Sequence, residues 1–350
     1  MPNTRDVLGD IQTLGAIVDG TISEFVDDGV ESVIERVFTC CYSLAIVSLP
    51  VCTKVLSSAF QSCSALTTVS LPSCMDVEEG AFAYCTALTT VSLPVCSYVG
   101  WGALSHCSSL TTVDLPACTK VGWSAFYDCR SLTSVNLPSC TSVGASAFAS
   151  CYSLTSINLP VCTYIGGYAF NECSALTSIN LPSCTSLGSN TFSKCSALTS
   201  VSLPACTNVQ NTAFQSCFAL TSIDMPACTS VGTSAFVFCS ALATANLPAC
   251  SRAESSAFYK CSSLTTVSMP VCVSMGDYLF FSCFNLTSLY LTSVSMVPTI
   301  GNSIFYSTPI GGYSTIAGRY GSVFVPASLY SAFLTATNWS SISSRIVSVA

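Results

Sequence analysis

The sequence predicts a right-handed solenoid, with one short parallel strand per 22-residue unit lining the concave face and short turns or single helical turns opposite. Three observations predict it. Twelve cysteines, from Cys41 to Cys283, fall 22 residues apart without a slip. A second set, from Cys52 to Cys272, keeps the same period 11 residues out of phase. Between the two columns one apolar pattern recurs, and a fixed period of this length is the mark of stacked repeats rather than of a single globular core.

Each element follows from that frame. The unit reads L-x-x-V-x-L-P-x-C-x-x-V, as in Leu66, Val69, Leu71, Pro72, Cys74 and Val77. Residues 66–71 alternate apolar and polar at their end, as a short strand with one buried face should. Identical strands stacked at about 4.8 Å make a parallel sheet along one side of the coil. Pro72 and its equivalents end each strand, because proline has no N–H for the ladder. The other half of the unit carries A-F-x-x-C, as in Ala81, Phe82 and Cys85. Phe60, Phe82, Phe126, Phe148, Phe170, Phe192, Phe214, Phe236, Phe258 and Phe280 then form a buried aromatic spine that only Leu104 breaks. Ten residues leave no room there for a long helix.

The ends differ from the middle, as capping repeats do. Residues 1–40 are expected to hold a short helix and a degenerate capping repeat, in which Ile22, Phe25, Val30 and Val33 keep the frame without the Cys and Leu types. The solenoid proper is expected over 41–297, about twelve units, with its last strand around Leu286, Leu289 and Leu291 before the pattern dissolves. A C-terminal cap is expected over 298–350, with a strand at Val323-Phe324-Val325-Pro326 and a helix from Ala327 to Asn338.

Composition narrows the function. Half of the 350 residues are hydrophobic, 8% are charged and the net charge is −7. Disorder needs the opposite balance, and ten Lys and Arg neutralise too few phosphates for nucleic acid to be the partner. Apolar residues never run for the roughly 18 positions of a membrane-spanning helix. The start, Met1 to Asp6, shows no basic segment followed by an apolar core, so no secretory signal is expected there.

The 24 cysteines invite a disulfide or metal reading. Bridges between columns are excluded: the columns sit at opposite ends of a strand, roughly 15–20 Å apart, and a bridge needs Cα atoms within about 7 Å. Within a column the Cα spacing of about 4.8 Å passes, but parallel Cβ vectors hold the Cβ atoms farther apart than the roughly 3.8 Å a bridge prefers. Buried, reduced thiols acting as small hydrophobes are the expectation, with Cys40 alone outside both columns. There is no C-x-x-C pair and His106 is the only histidine, so no zinc site is expected. A histidine-based nucleophile would have to pair His106 with its neighbour Cys107, and adjacent residues on a turn point apart. His106 reads as an exposed variable position, and Asp27-Asp28 and Glu78-Glu79 as solvated turns. No catalytic residue and no cofactor are expected.

The column pattern matches the leucine-rich repeat, with Cys where many such repeats carry Asn. The unit C-x-x-L-x-x-V-x-L-P-x-C-x-x-V-G-x-x-A-F resembles the BspA-like leucine-rich-repeat family over residues from about 20 to 297. The tail, with Thr308-Pro309-Ile310 and Asn338-Trp339-Ser340, looks like the terminal segment that follows such repeats in proteins of gut Firmicutes and their phages. The resemblance implies surface adhesion, host or matrix binding or a place on a phage tail, and neither activity nor cofactor.

Comparing units with one another marks the exposed positions. The sheet face carries a Thr/Ser column beside a Ser, Asn and Asp column that includes Asn136, Asn158 and Asn180, a neutral surface able to hydrogen-bond a glycan or an extended peptide. It also reads simply as soluble strand filler. The opposite half varies more: Trp101, Trp123, Tyr84, Tyr127 and Tyr168 stand where other units have Ser or Ala. Trp101 and Trp123 share one position in consecutive units and should lie side by side. Exposed aromatics are enriched in binding hot spots. The expectation is a non-catalytic binding protein for a protein or glycan on a cell surface, extracellular, surface-bound or virion-associated. The rival is a structural spacer or scaffold subunit of a phage tail, and an assembly partner at the termini is left open.

Overall fold

The computed structural model describes residues 21–312 and 318–350. The chain divides into two compact units, one ending at Leu176 and one beginning at Thr177. Both are parallel-strand solenoid.

In the first unit, seven strands, Glu24–Val26, Ile46–Ser48, Thr68–Ser70, Thr90–Ser92, Thr112–Asp114, Ser134–Asn136 and Ser156–Asn158, form one parallel sheet in sequence order. Val69 faces Val47 on one side and Val91 on the other, a strict 22-residue register. The strands have three residues, half the span expected from the pattern. Pro72 closes one end. At the other, the Leu66 N–H turns back to the Cys63 carbonyl at 3.0 Å, so Leu66 packs in the core as part of a turn.

Each unit also holds a second strand of two residues that the pattern did not announce, as in Asp76–Val77, Tyr98–Val99, Lys120–Val121, Ser142–Val143 and Tyr164–Ile165, again paired at 22-residue intervals. Between the two ladders lie the core columns: Phe60, Cys63, Leu66, Leu71, Cys74 and Val77 have no exposed surface. The aromatic spine is as expected and longer. Phe38 stacks on Phe60 at 5.1 Å and Phe25 leans on Phe38 at 4.6 Å.

The row that carries the spine is neither helix nor simple turn. Its N–H groups alternate: Phe60 donates to Ala81 one coil on, at 2.8 Å, whereas Gln61 donates back to Ser58, at 3.1 Å. Two residues per coil adopt the left-handed conformation, such as Ser58 (φ 55°) and Ser62 (φ 63°), and they interrupt any helix. In these columns glycine stands only at Gly80 and Gly102 among the described residues.

Residues 21–40 hold the strands Glu24–Val26 and Ser32–Val33, so a helix within 1–40 can fall only on 1–20, outside the described residues.

In the second unit, Ser178–Asn180 pairs with Ser200–Ser202, and a six-stranded sheet follows from Ser222–Asp224 through Thr244–Asn246, Thr266–Ser268 and Ser288–Tyr290 to Ser322–Pro326 and Ile346–Val349. The pattern does not dissolve after Val297. Thr299–Ile300 pairs with Ser274-Met275 after a spacing of 25 rather than 22 residues, and Phe305 stacks on Phe280 at 6.1 Å. The helix expected from Ala327 to Asn338 is shorter: a 3-10 turn at Ala327–Leu329 leads into α1, Tyr330–Thr335, and Ala336 is extended (ψ 148°). Trp339 is fully buried against Phe333, and its indole N–H donates to the Pro298 carbonyl at 2.8 Å. That pins the cap across the last coil.

Candidate binding surface

Much of the hydroxyl surface is engaged within the fold. Thr67, Thr89, Thr111, Thr133 and Thr155 each donate their hydroxyl to the carbonyl 22 residues earlier, at 3.0–3.3 Å. Thr119, Thr141 and Thr163 do the same beside the second ladder, at 3.1–3.2 Å. These side chains act as an extra rung.

The amide column of the sheet face is likewise self-satisfied. Asn136 donates to the Asp114 carboxylate at 2.9 Å, and Asn158 donates to the Asn136 amide oxygen at 3.0 Å. They line an open trough of about 460 Å³ with Thr112, Ser134 and Ser156. Asn180 is exposed on its own strand in the second unit. Each amide keeps spare capacity, but a ligand must compete with a ladder already formed.

A different arrangement surrounds the two tryptophans. Gly100, Gly122, Gly144 and Gly166 follow the second ladder in four successive coils, all buried. A Cβ on Gly144 would sit 2.6 Å from the Gly122 carbonyl carbon, and one on Gly122 2.7 Å from that of Gly100. The glycines therefore let these coils approach closely and leave a strip bare of side chains. Trp101 and Trp123 rise on one side of it, 55% and 66% exposed, in adjacent coils joined by the Gly102 N–H to the Trp123 carbonyl at 2.8 Å. Tyr98, Lys120, Ser142 and Tyr164 rise on the other. Together these residues enclose a cleft of about 430 Å³. The Lys120 ammonium lies 5.9 Å from the Tyr98 ring centroid, and no carboxylate is in ion-pair range of it among the described residues. Tyr98, Lys120 and Tyr164 were not among the positions singled out from sequence. They share one column with Lys54, Asp76, Ser142 and Ser186, and that variability was the available signal.

The remaining aromatics stand elsewhere. Tyr84 stacks face to face on His106 at 4.4 Å, and Tyr127 meets the same ring edge-on at 5.3 Å. His106 is thus not the free exposed position read from the repeat: its side chain is 29% exposed, and Nδ1 lies 3.1 Å from Asp128, which Arg130 also holds at 2.8 Å. Tyr168 stands 49% exposed in a left-handed turn position (φ 60°) and does not line the cleft. Glu78 is not a free solvated carboxylate either. Lys54 at 2.8 Å and the Ser57 hydroxyl hold it, and Lys54 lowers its pKa below the ordinary range.

The thiols are turned inward. Cys63, Cys85, Cys107 and Cys129 donate to the carbonyl 25 residues earlier at 3.0–3.2 Å. Cys74, Cys96 and Cys118 donate to the carbonyl two residues on at 3.2–3.3 Å. Burial pushes Cys107 well above its usual range, Cys96 up to about 11 and Cys74 and Cys118 up to about 12. Such thiols are poor nucleophiles. His106 faces Asp128 while Cys107 faces the Phe82 carbonyl, so the two do not form a pair. Cys40 is the exposed thiol. Among the described residues, no cluster of three His, Cys, Asp or Glu is placed to hold a metal ion, and no helix is long and apolar enough to cross a membrane.

A solenoid of stacked parallel strands that repeats every 22 residues and carries an aromatic-walled cleft on its surface defines a repeat scaffold of the leucine-rich class. Six copies of the BspA type leucine-rich repeat region match residues 22–130, 119–243 and 207–316, and the chain belongs to that family. No curated protein matches the sequence. Among solved structures, a leucine-rich repeat protein from Bacteroides ovatus is 22% identical, with 92% of this chain and 88% of that one covered and a TM-score of 0.60, and shows the same fold. A leucine rich cell surface protein from Faecalibacterium prausnitzii is 24% identical over 68% of this chain and 82% of its own, with a TM-score of 0.35. The pneumococcal vaccine antigen PcpA is 14% identical over 94% and 83%, with a TM-score of 0.41.

Proposed function

We propose that the chain is a non-catalytic recognition protein, acting in adhesion or receptor recognition at a bacterial surface or on a phage particle, and that the aromatic side of the first unit binds the partner. The observation that carries this reading is the pair Trp101 and Trp123, more than half exposed and facing one cleft, at positions where neighbouring coils carry Glu79, Ala145 or Gly167. The fold does not need an indole there. Large rigid side chains with unburied faces are the usual centre of a binding hot spot. Membership of the BspA-type family supports an extracellular, surface-bound or virion-associated setting, because that likeness implies adhesion.

The test compares two multiple variants in binding to cognate cells. Trp101→Ala with Trp123→Ala should leave the far-ultraviolet spectrum and melting curve unchanged and weaken binding by about 2 kcal/mol or more. Asn136→Ser, Asn158→Ser and Asn180→Ser together should bind as the parent does. Loss of binding only in the asparagine variant would move recognition to the sheet face. If neither variant loses binding while particle or filament assembly fails, the chain is a structural spacer.

A further inference from the structure

The cleft beside the tryptophans has the dimensions and chemistry of a small-ligand site, and we infer that it binds a short acidic oligosaccharide. The inference rests on the recognition reading above and specifies the ligand class for the same surface. Four features of the first unit carry it.

Size comes first. About 430 Å³ lies within the roughly 300–1,000 Å³ of small-molecule pockets. A protein epitope instead covers about 800 Å² per partner across a broad patch.

The walls come second. Trp101 and Trp123 on one side, and Tyr98 and Tyr164 on the other, line the cleft and are exposed, Tyr164 to 48%. The C–H faces of pyranose rings pack against aromatic faces of this kind, while sugar hydroxyls reach past the ring edges.

The floor comes third. Gly122 and Gly144 present backbone only, so a flat ring can descend between the walls without meeting a side chain.

Charge comes last. The polar side-chain groups of the lining are the Ser142 hydroxyl, two phenols, two indole N–H groups and the Lys120 ammonium, and no carboxylate lines the cleft. Asp76, the nearest acid in the same column, stands two coils from Lys120. Glu78 is already neutralised by Lys54. On a chain of net charge −7, a cleft whose only ion is an unpaired cation selects an anion. A uronic or sialic carboxylate at Lys120, with its sugar ring against an indole, satisfies both parts of the lining.

The experiment titrates the full chain with 3′-sialyllactose, trigalacturonic acid and a hyaluronan tetrasaccharide, with lactose, maltotriose and cellotriose as neutral comparators. Tryptophan emission and calorimetry provide the readouts. Trp101 and Trp123 are exposed and Trp339 is buried, so quenching reports on the cleft. At least one acidic probe should saturate the signal and bind about tenfold or more tighter than the neutral set, about 1.4 kcal/mol. Lys120→Gln should erase that preference and the salt dependence. By calorimetry, Trp101→Ala with Trp123→Ala should abolish binding, and Trp123→Phe, which keeps a ring, should retain part of it. Absence of saturation with every probe, equal affinity for neutral and acidic probes, or binding that survives the double variant would overturn the inference. Loss of cell binding in the double variant without any oligosaccharide binding would leave the recognition reading intact and assign the cleft to a protein.

Discussion

Phe148→Ala measures what holds one coil to the next. Phe148 is fully buried, with the Phe126 ring centroid 5.1 Å away and Phe170 5.5 Å away, both within 4° of parallel. Truncation removes the ring and leaves a void that two stacked neighbours cannot easily fill, at a cost of about 3–5 kcal/mol. Phe148→Leu separates packing from stacking. It nearly conserves volume and forfeits two ring contacts worth about 0.5–1.5 kcal/mol each, so a loss of about 1–3 kcal/mol is expected. The chain supplies the precedent, since Leu104 occupies this column between Phe82 and Phe126 with no exposed surface. Urea unfolding followed by circular dichroism gives the two losses. Hydrogen exchange should show protection falling first in the coils of Phe126 and Phe170, because stability in a stacked array is set by nearest neighbours. Equal losses for Ala and Leu, or protection lost evenly along the chain, would show that the spine is not a chain of coupled contacts.

Two further predictions follow from the thiols. A maleimide applied to native protein at pH 7 should label Cys40, the exposed thiol, and leave the buried columns unmodified, whereas protein in urea should react at nearly all 24; mass spectrometry finding the columns oxidised in intact protein would refute reduced ladders. Stability should also fall in alkali. Unfolded thiols ionise near 9.0, whereas Cys96 and Cys228 stay protonated in the fold up to about 11 and Cys74, Cys118 and Cys184 up to about 12. Above about pH 9 the folded state therefore holds more protons than the unfolded one, and stability drops with rising pH, by about 1.4 kcal/mol per unit for each such thiol. The urea midpoint should be level below about pH 8 and decline steadily between about pH 9 and 12; a midpoint constant to pH 11 would show that the thiols are not buried as described.

The solenoid was legible because its core repeats by position: Leu66, Val69, Leu71, Cys74 and Phe60 recur at one spacing, and each is buried. The second ladder was not, because two residues such as Asp76-Val77 give no alternation to recognise, and it is cross-coil bonding that makes them a strand. Left-handed residues escaped for a similar reason. Tyr84, Lys194 and Phe238 carry no turn signature, and the bonds to adjacent coils impose their positive φ. At the candidate binding surface, unit-to-unit comparison found Trp101 and Trp123, where a large residue replaces small ones. It passed over Tyr98, Lys120 and Tyr164, whose column mixes charged, aromatic and small side chains. Only the fold shows that this column faces the tryptophans across a strip of glycine.

The strict register has a consequence for how such a chain changes length. Every rung in the first unit joins residues 22 apart, so removing or duplicating one whole unit returns each Val, Cys and Phe to an equivalent partner. Loss of a single residue within a strand would instead turn its buried side to solvent. Length in this architecture is quantised, and recombination between near-identical repeats is a route by which it steps. The last coil marks the exception: three extra residues are absorbed between Leu291 and Thr299 without disturbing the pairing of Ser274 with Thr299. That joint, after the first ladder and before the second, is one place where the fold tolerates insertion, and new surface can be added there without re-indexing the core.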